Sequence, residues 1–289
     1  MRPLAAVLAL LGGGALTAVA QPPTAAATSS PATRIHVSVV TDDSWTIHGD
    51  YYPAQQGRKT VLLIHGAGER RGMWRGLETM LRREGFGALA IDLRGYGESS
   101  VGPDGSTITF QQFRSSRNHN DYAEMRRDVE AAAAYLRARG VRDEDMGLVG
   151  AYVGGTLALK YAVLHSSVAF VAMIEPGMSY ENVPTVNALR AYRDRPILLL
   201  YSDRDKTSSR AVPLLYEFAK RSAGPEKAAL LNIGSKRLTG AWSMRHLFAW
   251  IEDPAKARQE FTVAASSAVP AAPAVPMSSI VPTLPRTNP

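Results

Sequence analysis

The run Val61 to His65 is apolar until its last residue. A stretch so short, with no polar face, belongs in a strand buried on both sides. Comparable runs return at Gly87 to Leu93, Met146 to Gly150, Val168 to Ile174, Ile197 to Tyr201 and Ala228 to Ile233. Between them lie segments that read as helices, with the alanines, Val129, Tyr135 and Leu136 of one of them at helical spacing. Helices are expected over Trp74 to Glu84, Tyr122 to Arg139, Val153 to Leu164, Ser209 to Arg221 and Trp242 to Glu252. The first two are followed by Gly85 and Gly140, which suit a helix terminus. Arg34 to Val40 and Trp45 to Tyr52 read as an antiparallel opening pair. Strands alternating with helices of this length build an α/β fold, a mostly parallel sheet with helices on both faces.

The two ends of the chain differ from this pattern. Arg2, the apolar run Leu4 to Leu11 and the small-x-small triplet Ala18-Val19-Ala20 read as an export leader cleaved near Ala20. The expected destination is periplasmic or extracellular. Residues 21–33 form a polar linker rich in Pro and Ala, and the domain is expected over residues 34–264. Residues 265–289 carry prolines at 270, 273, 276, 282, 285 and 289, too many for a regular helix or an interior strand. The 289 residues contain no cysteine, which rules out disulfides, thiolate metal sites and a cysteine nucleophile. The net charge of +7 favours acidic partners such as anionic envelope polymers. Its arginine clusters sit beside acids, as in Glu124-Met125-Arg126-Arg127-Asp128, and read as solvated faces; nucleic acid is not an expected partner.

Three segments carry chemistry. Val61 to Gly68 is a strand running into His65-Gly66. Ile91 to Ser99 is a strand running into Asp-x-Arg-Gly-x-Gly-x-Ser. Leu148 to Gly155 joins a strand to a helix through Gly150-Ala151-Tyr152-Val153-Gly154. The last is the setting of a nucleophile elbow, Gly-x-Ser-x-Gly, with both glycines present and Tyr152 where serine stands. From about residue 35 to 253 the chain resembles the α/β-hydrolase superfamily, near its secreted and dienelactone-hydrolase-like esterases. The resemblance implies a triad in the order Ser, Asp, His. It puts the nucleophile position at Tyr152 and the acid at Asp205, with Asp203 second choice. The histidine position falls on Thr239, or on Leu238 with a one-residue slip. It implies oxyanion-hole N–H groups at Ala67 and Val153, and a minimal lid over Met178 to Arg193.

Serine attacks only when a base takes its proton. A tyrosine phenol, with an ordinary pKa of about 10, stays protonated at neutral pH without one. Threonine is no base. The expectation is a degenerate hydrolase, catalytically impaired, that keeps its cleft for an unknown small-molecule or protein ligand. Two alternatives stand beside it: a weak, divergent esterase or amidase, and a basic protein that binds the cell envelope. Tyr152 is expected to fill the old pocket and Asp205 to survive as a structural residue. His65 at its strand end reads as structural, His119 as surface, His246 as lying inside the last helix, and Ser99 and Ser100 as turn caps. No histidine spacing along the chain indicates a metal, and no cofactor motif is present.

Overall fold

The computed structural model describes residues 33–116 and 118–267. The expected leader, the linker through residue 32 and the tail from residue 268 lie outside the described residues.

The chain opens with β1 (Ile35–Val40) and β2 (Thr46–Tyr52), paired antiparallel. Then follow β3 (Thr60–Ile64), α1 (Arg75–Arg83), β4 (Gly87–Ile91), α2 (Asp121–Glu124), α3 (Arg126–Arg137), β5 (Met146–Ala151), α4 (Val153–Leu164) and β6 (Phe170–Ile174). A two-stranded flap, β7 (Ser179–Tyr180) with β8 (Val183–Pro184), and the short α5 (Val186–Ala191) occupy the expected lid. The chain closes with β9 (Ile197–Tyr201), α6 (Lys206–Ala223), β10 (Ala228–Asn232), α7 (Ala241–Glu252) and α8 (Pro254–Ser267).

Eight strands form one sheet in the order β1-β2-β4-β3-β5-β6-β9-β10. From β4 to β10 every pairing is parallel, and β2 joins β4 antiparallel. The apolar runs explain this arrangement. In β3, Leu62 and Ile64 face a core shared with Val129, Leu157 and Leu215 of α3, α4 and α6. Val61 and Leu63 face the opposite core, with Leu77, Leu247, Trp250 and Phe261 of α1, α7 and α8. Side chains alternate across a strand, so a strand covered on both faces must be apolar throughout.

Three elements differ from expectation. The helix expected over Tyr122 to Arg139 breaks at Met125, where Asn120 caps a separate first turn through the Ala123 N–H. The helix expected from Ser209 begins at Lys206, because Asp205 accepts the N–H groups of Thr207 and Ser208. The helix α8 has no counterpart in the sequence expectation and runs three residues past the expected domain end at 264. Its start was legible: Asp253 accepts the Lys256 N–H, and Pro254 stands at the first helical position. Among the described residues no helix is long and apolar enough to cross a membrane.

Candidate functional site

At the C-terminal end of β5 the chain turns through one residue, Tyr152, into α4. A Cβ on Gly150 would stand 2.2 Å from the Gly154 carbonyl oxygen, and one on Gly154 would stand 2.4 Å from the His65 carbonyl oxygen. Both contacts are with backbone, so only glycine fits. Tyr152 itself has φ 50° and ψ −120°. A bulky residue there is strained, at a cost of about 1–3 kcal/mol. Hydrogen bonds hold it, from the Tyr152 N–H to the Ile174 carbonyl (2.8 Å) and from the Gly155 N–H to the Tyr152 carbonyl (3.1 Å). The turn from β5 into α4 is thus sharp, with Tyr152 at its apex.

The Tyr152 ring lies against Gly66, in the loop after β3, and meets Tyr180 edge-on at 5.7 Å. Among the described residues its hydroxyl has no hydrogen-bond partner. Burial, and then the negative charges of Glu175, Asp205 and Glu69, push its phenol up to about 12. The phenol therefore keeps its proton at neutral pH.

Tyr152, Asp205 and Thr239 line one cleft of about 340 Å³, so the three mapped positions meet in space. Leu238 lines it too; Asp203 does not, and is held by the Asn232 side-chain amide at 3.0 Å. Asp205 spends its Oδ1 on the two N–H groups at the start of α6, each at 2.9 Å. No histidine lines the cleft among the described residues.

The three histidines considered from sequence have other partners. His65 is fully buried; its Nδ1–H donates to the Gly66 carbonyl at 2.8 Å, and its Nε2 accepts the Leu93 N–H at 3.0 Å. Both nitrogens are engaged, and burial lowers its pKa, so it is a neutral strut. His246 donates to the Trp242 carbonyl and stacks on that indole at 3.6 Å. His119 is exposed and pairs with Asp121. Ser99 bridges two strands, donating to the Asp92 carbonyl and accepting the His48 N–H. The N–H groups of Ala67 and Val153 have no hydrogen-bond partner among the described residues.

Sequence reasoning missed Glu175. It follows β6 at φ 48°, is 1% exposed, and accepts the Ser202 N–H at 3.1 Å and the Ser202 hydroxyl at 2.5 Å. Its Oε2 is buried and has no hydrogen-bond partner among the described residues, and burial raises its pKa. The Tyr180 hydroxyl donates to its carbonyl. A glutamate closing an apolar strand, in Ile174-Glu175-Pro176-Gly177, was the signal available. Around this acidic interior stand the exposed Arg204, Lys236 and Arg237. A larger groove of about 1340 Å³ opens alongside, sharing Glu69, Met73 and Thr239.

The sequence profile of the alpha/beta hydrolase family matches residues 61–286. No curated protein matches the chain. Among solved structures, an esterase of Pyrococcus furiosus is similar over 83% of this chain and 99% of its own, at 17% identity and a TM-score of 0.59. A dienelactone hydrolase of Anabaena variabilis is similar over 80% of this chain and 99% of its own, at 17% identity and a TM-score of 0.58. An esterase of Exiguobacterium antarcticum is similar over 76% of this chain and 100% of its own, at 15% identity and a TM-score of 0.53. Identities this low speak to the fold alone.

Proposed function

The chain belongs to the alpha/beta hydrolase family, and we propose that it uses the fold to bind a ligand and not to hydrolyse one. The observation that carries this is Tyr152: its ring lies against the loop after β3 at the nucleophile position, in a cleft with no histidine among the described residues. Ester cleavage in such a cleft needs a nucleophile and a base that share a proton. A phenol pushed up to about 12 is ionised to about one part in 10⁵ at pH 7. Asp205 has no imidazole to orient and serves as a helix cap. The Ala67 and Val153 N–H groups, without a partner among the described residues, remain, but an oxyanion hole without attack leaves only residual catalysis.

What persists suits recognition. The cleft has the volume of a small-molecule site, and its inner wall offers the Tyr152 hydroxyl as donor and the Glu175 and Asp205 carboxyl groups as acceptors. Its ligand is a small polar molecule or a polar segment of a partner. The leader-like residues 1–20 support export, and the charge of +7 supports an anionic envelope surface as neighbour.

The test is turnover of short p-nitrophenyl esters by the natural chain and by Tyr152→Phe. Both are expected to match buffer, and both to have the same thermal stability, because the hydroxyl makes no hydrogen bond among the described residues. Clear turnover by the natural chain, abolished in Tyr152→Phe, would make the phenol part of a mechanism and end the binding proposal.

A further inference from the structure

Away from the cleft, three chain segments bring two imidazoles and a carboxylate together on the solvent side of the β1–β2 pair. In the antiparallel ladder, His36 stands opposite Asp50 and Ser38 opposite His48, so all four share one face of the sheet. The two imidazole rings stack at 5.6 Å. Glu98 reaches them from the loop after β4. One ligand atom from each of His36, His48 and Glu98 lies within 4.8 Å of the others.

The hydrogen bonds decide which atoms are free. Nδ1 of His48 is engaged by the Ser38 hydroxyl at 3.0 Å, and Nδ1 of His36 faces Asp50 Oδ1 at 3.4 Å. Each ring is thereby oriented through Nδ1, which leaves Nε2 as the donor. That is the arrangement of metal-binding histidines, whose second nitrogen is held by a carboxylate or another acceptor. Nε2 of His36 is 3.3 Å from Glu98 Oε2. Ligands about 2.0–2.2 Å from a tetrahedral ion stand about 3.3 Å apart, so this pair is already at metal-binding separation. His36 and Glu98 are 50% and 55% exposed, which leaves them room to close on His48.

The loop presenting Glu98 is fixed. Asp92 accepts the Glu98 N–H at 3.1 Å and the Arg71 N–H at 2.8 Å. Among the described residues two guanidinium groups flank the group: Arg71 takes Glu98 Oε1 at 2.9 Å and leaves Oε2, and Arg34 stands 4.0 Å from Asp50 Oδ2. The Arg71 charge is matched by Asp50 at 3.1 Å and by Asp92.

We propose that His36, His48 and Glu98 bind one divalent transition-metal ion, with Ser38 and Asp50 as positioning residues. Two imidazoles exclude calcium and magnesium, which take oxygen ligands. Two nitrogens and one carboxylate suit zinc, copper or nickel, with water in the remaining position. This site is independent of the cleft and of the reading given to it.

The experiment is calorimetric titration of the untagged full chain with zinc chloride in a non-coordinating buffer. One saturable equivalent is expected. His36→Ala/His48→Ala should abolish it, Ser38→Ala should weaken it by about 10- to 100-fold, and His119→Ala should leave it unchanged. These side chains are at the surface, and circular dichroism checks that each variant folds. No saturable uptake by the natural chain, or uptake that the double variant retains, overturns the proposal. Uptake lost in His119→Ala overturns it as well, by assigning the zinc to His119 and Asp121.

Discussion

A Cβ added to Gly66 would sit 2.5 Å from Cδ2 of Tyr152, and the ring has little room to yield, with Tyr180 edge-on at 5.7 Å. Gly66→Ala is therefore expected to destabilise the chain by about 1–3 kcal/mol in chemical denaturation. On a Tyr152→Ser background most of that loss should vanish, giving a coupling of at least about 1 kcal/mol. Equal losses in both backgrounds would place the ring elsewhere. At this scale the site was half legible in the sequence. Tyr152, Asp205 and Thr239 could be mapped because glycines and a strand-end loop frame them. Glu175 could not, because its burial depends on Ser202 and Tyr180, which approach from other strands. The pair of His36 and His48 was hidden for a related reason. Spacing along the chain does not show which residues a hairpin brings face to face.

Elements are joined here by a buried ion network as well as by apolar contact. The Arg94 guanidinium, 4% exposed, donates to Asp128 at 2.8 Å and to both oxygens of Asp43 at 2.6 and 3.0 Å. It lies over the Trp45 ring at 5.3 Å. One side chain thus ties the loop after β4 to α3 and to the β1–β2 turn. Arg94→Met is expected to cost about 3–5 kcal/mol, because it leaves the fully buried Asp128 carboxylate without a counter-cation and with only the backbone N–H of residue 94. A loss under about 1 kcal/mol would mean that the network is screened by solvent. The strand order was within reach of sequence reasoning through apolar runs and turn residues. This network was not: the Asp-x-Arg-Gly motif marks Arg94, but its partners lie 34 and 51 residues away. The last helix was overlooked for a different reason, since the prolines beyond it drew the domain boundary inward to 264.

Across the whole molecule, the charged groove beside the cleft makes stability depend on pH. Glu78 lines it, is 7% exposed, and is pushed up to about 7, first by burial and then by Asp50, against the pull of Arg75, Arg82 and Arg34. A carboxyl raised in the folded state favours folding while protonated. Its stabilisation is complete below the unfolded value of 4.5 and is lost as pH rises through about 7. Glu78→Gln should match the natural chain below pH 4.5 and exceed it above pH 7 by on the order of 3 kcal/mol. Parallel stability curves would show that Glu78 titrates normally. The groove and the cleft share one rim, and the scaffold around both is an alpha/beta hydrolase fold whose Ala67 and Val153 N–H groups have no partner among the described residues. The proposed binding role rests on two side chains of this scaffold, Tyr152 and Thr239, which line the cleft where a serine and a histidine would be needed for hydrolysis. Turnover of p-nitrophenyl acetate by a Tyr152→Ser/Thr239→His double variant tests it most directly. Turnover that the natural chain lacks, and that Asp205→Ala in the same variant removes, is expected; a folded double variant as inert as the natural chain would overturn the proposal.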